Sequence, residues 1–557
     1  MVHESSSKMR FGQIAQKWLA HGAANRSVLL LLVGGLLFRS VVAFWLYPTF
    51  DEAYYYLYSL HLDWSYFDHP ALVALTTGLG PLLTGDVSQF TIRLGALICY
   101  TGSLVLLYLT SLKLFSAQAA YLTLALATIA PIFPIGFGIL SLPDSPLMLF
   151  WSAALYCAAD EFFQASPDEH QPNLYLPTYR LTILSILVGL ACESKYHGFV
   201  LGFGLVGFCL TSHRHRRALL SPWAWLGIVL FLLTISPTVF WNIQHDWVSL
   251  RFQSARAVPK NGYSLLSLAL VCLAQIVYLF PTIGVPLWWL TLRSTVASIK
   301  QLFSPTPALN EDLALKQLLI LWVSLPLIFG FTLMGGYRQI LPGWTMPGFW
   351  GMTLLLGRQA AIWQQQSYQR VRRWLLGSGI VLSTILLVAL LHVATGAFQK
   401  PSQYALFGGF LPPKVDPSTE LIDIQQLRHG FEESPLLSAA LHKCSFIFTN
   451  RYYLGGSIAM ALKPLANKPI TCFDIGNDQR GFAFWSKADE WVGKDALYIT
   501  TAPFNLRSDL MASYRDHFKS VNQIATIPLR RGGTVINVVY VYQASTLIKP
   551  YPRSYGI

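Results

Sequence analysis

Asp51 and Glu52 stand side by side where the first apolar run of the chain ends, followed by Tyr54, Tyr55, Tyr56 and Tyr58 and then by Tyr66, Phe67, Asp68, His69 and Pro70. Between residues 48 and 92 there is no Lys or Arg, although Asp63 and Asp86 add further acids. An acid pair without a basic partner of its own must be neutralised from elsewhere in the fold or by a ligand. A carboxylate held in this way can take a proton from a hydroxyl, as a general base does. For the tyrosines, an interfacial aromatic belt is the plain alternative, with the acids marking the water side. Asp68, His69 and His245 offer carboxylate and imidazole groups that suit zinc or manganese. No close-spaced ligand pair on one helix accompanies them, so hydrogen-bonded histidines and no metal are expected.

The elements that must position these residues are set by composition. Of 557 residues 53% are hydrophobic and only 12% charged, with a mean hydropathy of +0.44, against about a quarter charged in a soluble domain. That excludes a soluble enzyme over most of the length. Aromatics at 14% exclude a disordered or fibrous chain, because they supply abundant surface to bury. The formal charge of +13 lies in short clusters between apolar runs, which reads as membrane topology and not as a nucleic-acid surface.

The first run, 28 to 49, follows a basic tail with Lys8, Arg10, Lys17 and Arg26 and lacks a small-residue cleavage site, so a spanning helix with a cytoplasmic N-terminus is expected. Further runs of spanning or near-spanning length lie at 93–112, 116–135, 146–160, 222–241, 263–291, 315–334, 343–357 and 376–395. One helix over 180–212 would put Glu193 and Lys195 near mid-membrane, at about 2.5–3.5 kcal/mol each, and would push the basic cluster 213–217 outside. Two short helices turning near Lys195 avoid both costs. About eleven spans result, which predicts an extracytoplasmic face for 48–92 and for everything after 396. The loop 160–180, with Asp160, Glu161, Asp168 and Glu169, is cytoplasmic despite its acids, which count little in this rule.

Past 396 the apolar runs shorten. Strand-like segments at 444–449, 469–474, 496–500, 523–528 and 534–542 alternate with helix-like stretches near 452–462 and 506–518, so 396–557 is expected to form a small α/β domain beyond a membrane domain of 1–395. Five cysteines fall in apolar runs. Cys444 and Cys472 lie in the outer part, where an oxidising compartment would permit a disulfide.

The ordered set D-E-A-Y-Y-Y-L-Y-S (51–59), Y-F-D-H-P (66–70), L-P-D-S-P (142–146), E-S-K-Y (193–196), W-N-I-Q-H-D-W (241–247) and L-P-G-W-T-M-P-G (341–348) resembles the bacterial members of the protein mannosyltransferase superfamily. These are membrane glycosyltransferases of the C-type fold, related to the lipid A aminoarabinose transferases. The resemblance spans 28–350, with a weaker match over Phe446–Trp485. It implies transfer of one sugar from a polyprenyl-phosphate donor to an acceptor (a lipid, a glycan or a protein) at the outer face of the bacterial cytoplasmic membrane.

Expulsion of a lipid phosphate yields a stable anion and needs no general acid, unlike the alkoxide that forces hydrolases to keep two carboxylates. One base and one cation suffice. The resemblance implies Asp51 as base, with Glu52 as the supporting acid of the catalytic pair. Asp144, Asp68, Tyr55, Tyr58 and His245 are expected along the substrate cavity. Outer-side cations for the donor phosphate are Lys195, Arg251, Arg256, Lys260 and Arg338, of which Lys195 and Arg338 lie closest to apolar runs. His69 joins them as a phosphate-binding candidate. The aminoarabinose branch carries a Lys at that position, so the resemblance points away from an aminoarabinose or lipid A substrate. A transporter or flippase for the same lipid is the alternative function. It would show paired inverted repeats with broken helices, and no internal repeat is visible.

Overall fold

The computed structural model describes residues 22–164, 175–256, 258–259, 262–302, 310–476, 478–505, 507–553 and 555. Lys8, Arg10, Lys17, Asp168, Glu169 and Lys260 lie outside the described residues. Helices dominate the first two thirds: α1 (Gly22–Trp45), α2 (Phe50–Leu60), α3 (Leu72–Thr84), α4 (Leu94–Leu114), α5 (Ala117–Ile129), α6 (Asp144–Phe162), α7 (Arg180–Ser194) and α8 (Gly198–Thr211). They continue as α9 (Pro222–Gln244), α10 (Val248–Ala255), α11 (Leu265–Tyr278), α12 (Pro281–Leu302), α13 (Glu311–Met334), α14 (Met346–Gln366) and α15 (Tyr368–Thr395). Among the described residues, five helices are long and apolar enough to cross a membrane, within α1, Thr91–Leu114, α9, α13 and α15.

The difficult stretch 180–212 folds as the two short helices α7 and α8, with Lys195, Tyr196 and His197 in the turn. Two expectations change. The run 263–291 is not one helix: it breaks between α11 and α12, where Phe280 takes a φ of 68° just before Pro281. Proline supplies no N–H and disfavours helix at the residue before it. Residues 48–92 are not a loop but carry α2 and α3. Helix α2 starts at a capping box in which the Thr49 side chain accepts from the Glu52 N–H while Glu52 accepts from the Thr49 N–H at 3.0 Å.

Beyond α15, helices α16 (Ile424–Glu432) and α17 (Pro435–Lys443) lead into a five-stranded sheet of β1 (Phe446–Thr449), β2 (Ile470–Cys472), β3 (Ala496–Thr501), β4 (Phe518–Arg531) and β5 (Thr534–Leu547), in the order β2-β1-β3-β5-β4. Strand β1 pairs parallel with β2 and β3, and β5 pairs antiparallel with β3 and β4. Helices α18 (Tyr452–Leu462) and α19 (Ser508–His517) fall where the pattern put them. Cys444 and Cys472 are buried free thiols, so the permitted disulfide is not formed. Arg531 holds the sheet to the end of α15, because it meets Asp416 at 2.5 Å and Asp416 in turn meets His392 at 3.0 Å.

The membrane part and the sheet part share a core. Tyr54, Tyr55, Tyr56 and Tyr58 of α2 are buried in one cluster with Leu454, Ile458 and Phe482 from beyond the membrane helices. The contact is close because Gly456 faces α2: a Cβ there would lie 2.1 Å from the Ala53 carbonyl. The α2 tyrosines are therefore a packed joint, not an interfacial belt.

Candidate active site

The capping box fixes the direction of both acids, since neighbouring residues of a helix point about 100° apart. Glu52 turns inward and is fully buried. Arg93 donates to both its oxygens at 2.7 Å and also holds the carbonyls of Ala43, Leu46 and Tyr47 at the end of α1. The backbone N–H of Ser141 adds a further bond at 3.0 Å. Burial alone would raise this carboxyl, but Arg93, with the N–H groups of Thr49 and Ser141, brings it below the ordinary value. All accepting capacity that could reach a substrate is used. Of the two sources of neutralisation expected, the fold supplies one for Glu52: Arg93 stands one residue past the stretch free of bases.

Asp51 turns outward and keeps an exposed side chain. Among the described residues nothing ion-pairs with it or hydrogen-bonds to its carboxylate. Protein encloses it on enough sides that lost hydration raises its carboxyl; Arg480 opposes the rise, Glu52 adds to it, and Arg256 and Lys195 also oppose it. Three nearby acids have partners. Asp144, at the start of α6, holds Lys195 through both oxygens at 2.8 and 2.9 Å. Asp68 pairs with Arg480 at 3.0 Å, and Asp63 accepts from the Trp241 indole at 2.9 Å.

A cavity of about 240 Å³ is lined by His69, Lys195, His197, Gln253, Arg256 and Trp344, among others, and two of these, Arg256 and Lys195, act on the Asp51 carboxyl. Lys195 is brought there by the α7–α8 turn and Arg256 by the end of α10. The Arg256 guanidinium lies over the rings of Phe252 at 4.7 Å and Trp344 at 5.8 Å. Gln253 ties α10 to the Asp68 carbonyl at 2.6 Å. His69 packs edge-on against Tyr55, with ring centroids 5.6 Å apart. Cations nearby and burial keep the His69 and His197 imidazoles well below their ordinary values, burial being the larger cause, so both are neutral at pH 7.

Several expected positions differ. Arg338 does not line this cavity; it donates to the carbonyls of Ala255 and Arg256 and so braces the segment that carries Arg256. Arg251 is exposed and outside it. His245 stacks on Trp241 at 4.1 Å, its Nδ1 meets the Trp241 carbonyl at 2.8 Å, and it packs against Phe484. Tyr58 stacks on Tyr66 at 3.9 Å within the shared core. Asp144 reaches the cavity only through Lys195.

Sequence reasoning missed Arg480, which comes from beyond the membrane helices. It pairs with Asp68, lies 4.0 Å above the Tyr452 ring and holds a left-handed φ of 46°. Such a φ costs a non-glycine residue on the order of 1 kcal/mol and persists where the surroundings over-determine it. Its only signal in the sequence is the weak match over Phe446–Trp485. Burial pushes the Asp68 carboxyl up to about 6 although Arg480 holds it down, so the pair is ionised at pH 7.

Comparisons with known proteins give a family match, a relative and a shared fold. The family model for dolichyl-phosphate-mannose-protein mannosyltransferase matches residues 68–241. A lipid A galacturonosyltransferase of Rhizobium johnstonii, RgtD, is 23% identical over 349 residues, which are 61% of this chain and 65% of that protein. The chain therefore spans just under two thirds of that relative. The crystal structure of ArnT from Cupriavidus metallidurans in the apo state has the same fold, with a TM-score of 0.56 at 15% identity over 93% of this chain and 98% of that one. Residues 68–241 thus match the protein mannosyltransferase family model, the chain is similar to a membrane glycosyltransferase, and its fold is that of ArnT.

Proposed function

We propose that the protein transfers a single sugar from a polyprenyl-phosphate donor to an acceptor hydroxyl at the extracytoplasmic membrane face, with inversion at the anomeric carbon. The observation that carries this reading is the isolation of Asp51: of the four site acids Asp51, Glu52, Asp68 and Asp144 it alone has no partner among the described residues, and Arg480, Arg256 and Lys195 all act on it. The acceptor oxygen forms a bond to the anomeric carbon, its proton passes to Asp51, and the bond from that carbon to the phosphate oxygen breaks. The lipid phosphate leaves as an anion beside Lys195 and Arg256, whose fixed charges meet the charge that develops there. His69 and His197 line the same space as neutral imidazoles that can donate a hydrogen bond. Glu52, held by Arg93, supports the helix start and takes no proton. The His69 departure separates the chain from the aminoarabinose branch, but the curated relative, named for a different sugar, is still named for lipid A, which makes lipid A the first acceptor to assay.

Asp51→Asn tests the reading. The amide keeps the size and reach of the side chain but cannot accept the proton. Single-turnover transfer at saturating donor should fall by about 10² to 10⁴, the range for loss of a general base, while donor binding stays near wild type. A variant that keeps more than about a tenth of the wild-type rate would show that Asp51 is not the base.

A further inference from the structure

A second cavity, of about 340 Å³, opens between α8 and α9 on the membrane body, and it is apolar. Glycines explain why it exists. Gly189 and Gly227 let α7 and α9 meet closely, since a Cβ at either would lie 2.8 Å from Thr234 or 2.5 Å from Ser185. Gly204 and Gly207 likewise draw α8 onto Trp322 of α13, where a Cβ would lie 2.4 Å from its carbonyl or its ring. Pulled to opposite neighbours, α8 and α9 leave a groove whose walls are Leu184, Val188, Phe203, Ile228 and Phe231. The edge-to-face contact of Phe199 with Phe231, centroids 6.3 Å apart, narrows one end.

The other end is the 3-10 turn Arg216–Leu220, which contributes Ala218 and Leu219 to the wall. The same turn exposes Arg216 and Arg217 at the rim, with His213 and Arg214 just before it. Among the described residues, no carboxylate ion-pairs with Arg214, Arg216 or Arg217. The groove is open to the bilayer, because Phe203 on its wall is 61% exposed. Arg216 Nε donates to the Leu210 carbonyl at 2.9 Å, which leaves its other nitrogens, and the Arg217 guanidinium, without a carboxylate; an apolar slot that ends at two such groups matches a hydrocarbon chain carrying a phosphate.

We propose that this groove is a binding site for an anionic phospholipid, with one acyl chain between α8 and α9 and the headgroup phosphate on Arg216 and Arg217. The headgroup end lies far from the donor cavity, although the groove reaches Phe199, next to Val200 of that cavity's wall. Lys195 precedes α8 and the arginines follow it, so its 14 residues set the two about 21 Å apart at 1.5 Å per residue. A basic cluster of this kind belongs at the cytoplasmic face, where anionic lipid is available to it.

The test uses the purified full chain in detergent with palmitoyl-oleoyl phosphatidylglycerol or the matching phosphatidylcholine, read by native mass spectrometry and by thermal unfolding. Phosphatidylglycerol should stay bound and raise the unfolding temperature, and phosphatidylcholine should do neither. Arg216→Gln/Arg217→Gln should weaken phosphatidylglycerol binding by roughly thirtyfold, since each surface base contributes about a factor of five. Ile228→Trp should block the chain while leaving the arginines intact. Monodisperse elution of both variants shows that they fold. Equal retention of the two lipids by the wild type, or unchanged phosphatidylglycerol binding in the arginine variant, would overturn the proposal. So would loss of a polyprenyl phosphate in Ile228→Trp with phosphatidylglycerol retained, which would make the donor chain the occupant.

Discussion

At the residue scale the two adjacent acids are separated by what they touch. Glu52 completes a buried ion pair with Arg93, and removal of one member of such a pair leaves the other charge buried without compensation. Glu52→Gln should cost about 3–5 kcal/mol, seen as a lower unfolding temperature and less folded protein in membranes, and Glu52→Gln/Arg93→Met should recover most of it. A normal unfolding temperature with transfer abolished would instead make Glu52 a reacting group. In the proposed mechanism Asp51 carries the pH dependence. Its raised carboxyl must be ionised to act as base, so activity falls on the acid side at a higher pH than an ordinary aspartate would give. Arg480 is the largest influence holding it down, so Arg480→Gln should move that limb of kcat/KM to higher pH. Asp68 also titrates, at about 6. The limb should therefore be compared in Asp68→Asn, where a persisting limb belongs to Asp51.

At the element scale the joint between α2 and α18 decides whether the site is complete. Helix α2 carries Asp51 exposed at its start and, further along the same face, the buried Tyr54, Tyr55 and Tyr58, and Gly456 lets α18 approach within reach of the Ala53 carbonyl. The Tyr54 hydroxyl accepts from the Gly481 N–H at 2.8 Å, next to Arg480. Gly456→Val should push the helices apart, at an overpacking cost of about 1–3 kcal/mol. The expected outcome is a protein whose membrane helices remain folded, whose outer part becomes sensitive to added protease, and whose transfer rate is lost. Protease resistance equal to wild type would show that the joint is not needed to seat Arg480. Helix α10, braced by Arg338, plays the matching part for Arg256.

At the scale of the whole molecule the arrangement requires one face for α2, the α7–α8 turn and the sheet domain. The basic clusters predict that face to be extracytoplasmic. Fusions of a cytoplasm-active reporter after Arg217 and after Arg373 should be active, and one after Lys400 should be silent while a periplasm-active reporter there is active. Cytoplasmic activity after Lys400 would move the sheet domain, and the site with it, to the other side.

Much of this was legible in the chain itself. Apolar run lengths announced the membrane body, because a bilayer demands about twenty apolar residues per crossing. The cost of burying Glu193 and Lys195 announced the α7–α8 turn, and period-two segments announced the strands. The acid pair could be named from its place at a helix end in a stretch without bases, and the family resemblance pointed to Asp51 within it. These are local properties, set by what a residue and its near neighbours can bury or leave in water. The partners were not local. Glu52 with Arg93 is separated by 41 residues and Asp68 with Arg480 by 412, and no periodicity carries information over such spans. Only the tertiary structure decided which of two adjacent acids is consumed and which is free, and which base reaches the cavity and which braces from behind. A charge in a packed interior is fixed by whatever the fold brings within about 4 Å of it.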